Sequence, residues 1–242
     1  MEHEPTPKAA SNVALTTPVA ILIGSLIIAG AILITKYAPN PLGGVAAQAE
    51  EKVNLEAMRP VTAEDHIRGN PDAPVKIVAY SDTECPFCKR FHDTMMEVMA
   101  TYGAEGKVAW VYRHFPLDQL HQSARAEAVA TECAAEQGGD EVFWKYVDRM
   151  MEITPSNDGL DPSELPKIAA FVGLDVTAFN ACVSSDKYAK KIQDDIDNAV
   201  ETGGRGTPWS IIVGADGKQY PLSGAQPITA INKLVDVALA GT

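Results

Sequence analysis

A chain of 242 residues, 46% of them hydrophobic, has ample material for a packed core in one large domain or two small ones. Its formal net charge of -12 argues against a nucleic-acid binder, which presents a basic face to phosphates. Four cysteines are too few for a disulfide-stapled scaffold, and they fall unevenly: Cys85 and Cys88 form a Cys-x-x-Cys pair, while Cys133 and Cys182 stand alone.

No charge falls between Lys8 and Lys36, and the run from Val19 to Ile34 is almost wholly apolar. Extended back to Val13, it supplies the roughly 20 residues that a membrane helix needs. The expected organisation is a short tail at 1–12, a single spanning anchor at 13–37, and a tether at 38–64 containing Pro39, Pro41, Gly43 and Gly44. A competing reading is a secretory signal peptide cleaved near Ala49, because Ala47-Gln48-Ala49 has the small-x-small form, although it lies about fifteen residues beyond the apolar run. Both readings export the rest of the chain. The first holds it at the cell membrane on the extracytoplasmic side, and the second leaves it periplasmic or secreted.

In the exported part, Val75 to Tyr80 is rich in β-branched residues and follows Asn70-Pro71 and Pro74, so it reads as a buried strand. A helix follows from about Cys85 to Tyr102, with Phe91, Met95, Val98, Met99 and Tyr102 on one stripe. Val108 to Tyr112 reads as a second strand, and a strand, helix, strand unit of this length implies a parallel pair. From Ser123 to Gly203 helix punctuation takes over. Asp161-Pro162-Ser163-Glu164 offers an N-cap followed by a proline at the first helical position. Asp175 can cap another helix, and Tyr188, Ile192, Ile196 and Ala199 recur at helical spacing. Strand character returns at Trp209 to Val213. Asp216-Gly217 suits a hairpin turn, and Pro221 restricts the returning strand to a sheet edge. A last helix runs from about Pro227 to Leu239. The order β-α-β, helices, β-β-α defines an α/β domain with an all-helical insertion at about 120–203.

The chemistry concentrates at Cys85-Pro86-Phe87-Cys88. Proline is accepted at the first position of a helix because the missing N–H has no intrahelical partner there, and placing Pro86 so makes Cys85 the N-cap. Its sulfur can then accept hydrogen bonds from the amides near Phe87 and Cys88 and sit at the positive end of the helix dipole. Both effects favour thiolate over thiol. A free cysteine titrates near pH 8.5, whereas in such motifs the value falls to about 3.5–7.5. A stabilised thiolate is also a better leaving group, so a Cys85–Cys88 disulfide is readily attacked. Cys88, one turn further, is placed to act as the resolving thiol. The alternatives are a zinc ligand pair or two core cysteines. A structural zinc site needs four ligands, and no second paired motif exists to complete one. No metal is therefore expected, and no cofactor besides the cysteine pair. Lys89, Arg90 and His92 follow on the same helix and could add positive potential.

Taken together, several motifs resemble the DsbA-like branch of the thioredoxin superfamily from about Asp65 to Leu239. They are Gly69-Asn70-Pro71-Asp72-Ala73-Pro74, Cys85-Pro86-Phe87-Cys88, His114-Phe115-Pro116-Leu117, Cys133, Gln137-Gly138, Phe143-Trp144 and Gly206-Thr207-Pro208. The resemblance implies a thioredoxin-like fold over 65–242 and a cis bond between Thr207 and Pro208 facing Cys85. That loop would offer backbone hydrogen bonds to an extended substrate. Without the resemblance, Gly203-Gly204-Arg205-Gly206 reads as an ordinary trans turn. The resemblance further implies a structural disulfide between Cys133 and Cys182, for which two buried free thiols are the alternative. Two departures stand out. Pro86-Phe87 lacks the histidine found between the cysteines of the best-known DsbA proteins, and Trp209 is bulky enough either to narrow a peptide groove or to fill core.

The function implied is a thiol–disulfide oxidoreductase that passes disulfides to unfolded or partly folded exported proteins and is reoxidised by a membrane quinone reductase of the DsbB or VKOR type. A reductase or isomerase uses the same chemistry in other directions. A tethered binding or chaperone module with structural cysteines is the reading from another class.

Overall fold

The computed structural model describes residues 53–241. The anchor expected at 13–37 and the cleavage site near Ala49 lie outside the described residues. Among those described, no helix is long and apolar enough to cross a membrane.

The described chain forms one five-stranded mixed sheet, with helices on both faces and a helical insertion. The strands are β1 (His66–Gly69), β2 (Val75–Ser81), β3 (Val108–His114), β4 (Trp209–Val213) and β5 (Gln219–Ser223), in the order β1-β3-β2-β4-β5. β2 and β3 pair in parallel, as the crossover through helix α1 (Pro86–Val98) requires, and every other pairing is antiparallel. A single π-helical turn, Met99–Gly103, extends α1 to the length read from the sequence. Pro221 lies on β5, an edge strand, where its missing N–H leaves no ladder bond unmade.

The parity of β2 distributes its side chains to two cores. Val75, Ile77 and Ala79 pack with Phe91 and Met95 of α1, with Trp144 and Val147, and with Ile231 and Val235 of the last helix, α6 (Ile228–Ala240). Val78 and Tyr80 face Phe115, Ala199, Trp209 and Ile211 on the other side. Trp209 is buried there, and its Nε1 donates to Thr202 Oγ1 at 2.9 Å. It fills core. Gly204 has no side chain because a Cβ there would stand 3.0 Å from the Trp209 ring and 2.8 Å from the Ala199 carbonyl oxygen.

The insertion comprises α2 (Ala124–Ile153), α3 (Glu164–Phe171), α4 (Val176–Val183) and α5 (Ala189–Glu201). Gly139, at φ 63, breaks α2 into two arms. The first arm carries Cys133 into the insertion's own core, with Tyr146, Met150, Ile168 and Phe179, while the second sends Phe143 and Trp144 into the main core. A disulfide joins Cys133 to Cys182, with Cα atoms 5.8 Å apart, linking α2 to α4. Buried Glu132 ties the insertion to the sheet. One of its oxygens accepts from His66 Nε2 (3.0 Å), His114 Nε2 (2.8 Å) and Lys191 Nζ (2.7 Å). Burial would raise its pKa, but the two imidazoles outweigh that and hold it well below the carboxylate range.

Three expectations need correction. The stretch read as the end of a tether is docked well before residue 65: Leu55, Met58 and Val61 pack on the core, and the Arg59 amide donates to Asn198. β1 was absent from the sequence reading, because His-Ile-Arg-Gly offers one apolar residue and no alternation. Helix α3 begins at Glu164 with Ser163 as its N-cap, so Pro162 lies before the helix; Asp161 instead accepts the Ser163 amide at 2.8 Å in a local turn. By contrast, Asp175 caps α4 through the amides of Thr177 and Ala178.

Candidate active site

Where β2 ends, the segment Asp82-Thr83-Glu84 leads into α1. Cys85 is the N-cap, in extended conformation at φ -80 and ψ 121, and Pro86 opens the helix. The Cys85 carbonyl accepts the first helical bond, from Lys89 N at 3.1 Å. Both cysteines are free thiols in the structure. Cys85 is 4% exposed and Cys88 1%, whereas Phe87 between them is 53% exposed and lies under the Arg90 guanidinium. Only a small window onto Cys85 is open.

The Thr207–Pro208 bond is cis, which replaces the ordinary trans turn readable from the glycines alone. It brings the Thr207 carbonyl to 3.5 Å from Cys85 Sγ. The Thr207 hydroxyl is buried without a nitrogen or oxygen partner, next to that sulfur.

The two thiols titrate in opposite directions. Cys85 is lowered to about 6, chiefly because the Cys88 thiol donates to it. Burial opposes this, and the Thr207 hydroxyl and the amides of Cys88 and Phe87 assist. The sulfur makes no capping hydrogen bond of ordinary geometry to those amides, and the second thiol acts together with the helix start to lower it. Cys88 is pushed up by burial and by its partner, although the Asp82 amide donates to its sulfur at 3.4 Å. The site therefore holds one reactive sulfur, and behind it one that stays protonated until used.

The acid–base groups behind the pair were not read from the sequence. Asp82, fully enclosed, accepts from His121 Nδ1 and the Leu117 amide, each at 2.8 Å. Burial raises the Asp82 carboxyl against the pull of that imidazole; at His121 burial is outweighed by Asp82, and the imidazole is raised. Glu84 and Glu127 lie against each other in the interior. Burial first, and Glu84 second, push Glu127 up to about 9, so it keeps its proton at neutral pH. Lys89 and His92 do not point charge at Cys85. Lys89 Nζ donates to the Thr154 carbonyl at 2.6 Å, and His92 Nε2 pairs with Asp148 at 2.9 Å.

An N-capping cysteine with a depressed pKa, a buried partner one turn on, and a cis-proline loop against the reactive sulfur together define a dithiol–disulfide exchange centre on a thioredoxin-like fold. A thioredoxin family model matches residues 61–236, and the chain belongs to that family. Within it, the described domain is similar to solved DsbA proteins. The crystal structure of Pseudomonas aeruginosa DsbA2 superposes with a TM-score of 0.64 at 27% identity, covering 75% of this chain and 98% of that one. Wolbachia pipientis alpha-DsbA1 superposes with a TM-score of 0.64 at 25% identity, covering 76% and 94%. Among curated sequences, a Mycolicibacterium gilvum protein named Na(+)/H(+) antiporter NhaA 1 is 36% identical over 167 residues, 68% of this chain. The chain spans only 26% of that relative's length.

Proposed function

We propose that this protein is an oxidase of exported proteins, held at the extracytoplasmic face of the cell membrane by its N-terminal segment, with Cys85 and Cys88 as the catalytic pair. The observation that carries this reading is the opposition of the two thiols, Cys85 lowered to about 6 and Cys88 raised. In the oxidised protein, a client thiolate attacks Cys85 Sγ and expels Cys88, forming a mixed disulfide. A second client thiolate attacks the client's own sulfur, and Cys85 departs as a stabilised thiolate. The client leaves with its disulfide, and the protein is left as the dithiol. No cofactor takes part. Pro86 fixes Cys85 at the helix start, exposed Phe87 forms part of the approach, and the Thr207–Pro208 loop receives the client as an added strand.

Reoxidation then falls to a membrane quinone reductase of the DsbB or VKOR type, which takes the electrons from the reduced pair. Support for a place at the membrane comes from the apolar run at 19–34; the curated relatives are named Na(+)/H(+) antiporters. The quarter of their length shared with this chain is, on this reading, a thioredoxin-like domain, and their transport activity is not carried over.

The reduction potential of the Cys85–Cys88 pair tests the direction. A thiolate this stable favours the reduced form, so the pair is expected to be more oxidising than about -200 mV, on the side of disulfide donors. A potential near -270 mV, where thioredoxin lies, assigns the protein to reduction instead.

A further inference from the structure

Beside the cysteines runs a segment that the exchange chemistry does not use. In the loop between α2 and α3, Ser156, Asn157 and Asp158 have φ values of 66, 57 and 60. Three consecutive residues with a Cβ in the left-handed region are disfavoured and persist only where the surroundings impose them. Here the imposing group is Glu84, the residue before the nucleophile. Its carbonyl accepts the Asn157 amide at 2.8 Å. Its side chain, 0% exposed, accepts the Gly159 amide (3.2 Å), the Leu160 amide (3.4 Å) and the Thr154 hydroxyl (3.4 Å). Glu127 supports it from the interior.

Two further ties fix the loop around the site. Lys89, in the first turn of α1, reaches the Thr154 carbonyl. The Asp158 carboxylate accepts the amides of Gln122 (3.0 Å) and Ser123 (2.8 Å), next to the His121 that pairs with Asp82. Thr154, Ser156 and Leu160 are buried by this arrangement, while Pro155, Asn157, Asp158 and Gly159 remain exposed. An outward rim is thus held rigidly against the peptide that carries Cys85.

We propose that residues 154–160 form the second wall of the client site, facing an extended polypeptide that the Thr207–Pro208 loop also holds, and that Glu84 is the positioning residue for this wall. The proposal rests on the oxidoreductase reading above. It accounts for a buried carboxyl that neither sulfur touches, and for a strained loop hydrogen-bonded to the residue that precedes the nucleophile.

The test compares the full chain with Glu84→Gln and Asp158→Ala, using a reduced unfolded peptide with two cysteines and, separately, dithiothreitol. Glutamine at 84 keeps one acceptor and loses the other, and the exposed Asp158 is removed without opening the core. In both variants the KM for the peptide should rise about fivefold to tenfold, the effect of loosening a wall that these hydrogen bonds hold. In Asp158→Ala the kcat and the rate with dithiothreitol should stay within about twofold, because the small thiol needs no wall. Hydrogen exchange at the Gly159 amide should accelerate in Glu84→Gln. An unchanged peptide KM in both variants overturns the wall, as does an equal loss with peptide and dithiothreitol, which would place Glu84 on the sulfur chemistry. Failure of the unaltered protein to exchange with dithiothreitol would instead sink the oxidoreductase reading on which the wall depends.

Discussion

Replacing Cys88 with serine is expected to arrest the protein in covalent complexes with its clients, joined through Cys85, while replacing Cys85 abolishes exchange. The asymmetry follows from the two environments. Cys85 is the less enclosed of the two and has the lowered pKa, whereas Cys88 is fully enclosed and raised. In Cys88→Ser, the hydroxyl at position 88 can still donate to the Cys85 sulfur, so the thiolate survives and attacks a client disulfide, expelling one client sulfur as thiolate, but no Cys88 sulfur remains to attack the resulting mixed disulfide and release the client. Cys88→Ala removes the donor as well. Because that donor is the largest cause of the low pKa, Cys85 should titrate higher in Cys88→Ala than in Cys88→Ser and trap clients more slowly. Non-reducing electrophoresis of cells expressing each variant, followed by identification of reducible adducts, checks the order. Adducts through Cys88 in Cys85→Ser, at a level matching Cys88→Ser, would reverse the assignment.

Removing the second cysteine pair should damage stability and leave the chemistry intact. The Cys133–Cys182 bond closes a separation of 49 residues, and the chain-entropy account puts its contribution at about 4 kcal/mol. Cys133 is fully buried among Tyr146, Met150 and Phe179, so a double change to alanine also leaves some unfilled volume. A fall in Tm of roughly 8–16 °C is expected, read by calorimetry on the paired variant. The insertion's core is separate from the cluster that holds Cys85 and Cys88, so exchange with dithiothreitol at 25 °C should change little. A loss of stability below about 1 kcal/mol would mean that helix packing alone holds the insertion together.

What the sequence disclosed divides along physical lines. Cys85-Pro86-Phe87-Cys88 was readable because proline's preference for the first helical position fixes the register of everything near it. The strands with β-branched runs and the helix capped by Asp175 were readable from local preference too. β1 was not, since a four-residue edge strand is defined by pairing with β3 and not by its own residues. The cis bond at Thr207–Pro208 came only from the family resemblance, because the glycines before it are equally compatible with a trans turn. Asp82 with His121, and Glu84 with Glu127, went unread for a different reason. Their spacings have no local meaning, and the folding of α2 back across the end of β2 makes them neighbours. At the cysteines the amides of the helix start lower Cys85 as their position predicts, and the Cys88 thiol, whose donation has no local signature in the sequence, adds to them.

The pH dependence of Cys85 in the reduced protein tests the account most directly. Its folded pKa lies below the ordinary thiol value. The stabilisation it lends the reduced form is therefore fully present above the unfolded pKa, near 8.5, and is lost as pH falls through about 6. Alkylation by iodoacetamide, followed by thiolate absorbance and mass spectrometry of the modified peptide, should give a midpoint near 6 at Cys85, with Cys88 unmodified through neutral pH. A midpoint near 8.5, or equal labelling of both sulfurs, would show that neither thiol is prepared for exchange and would contradict the account.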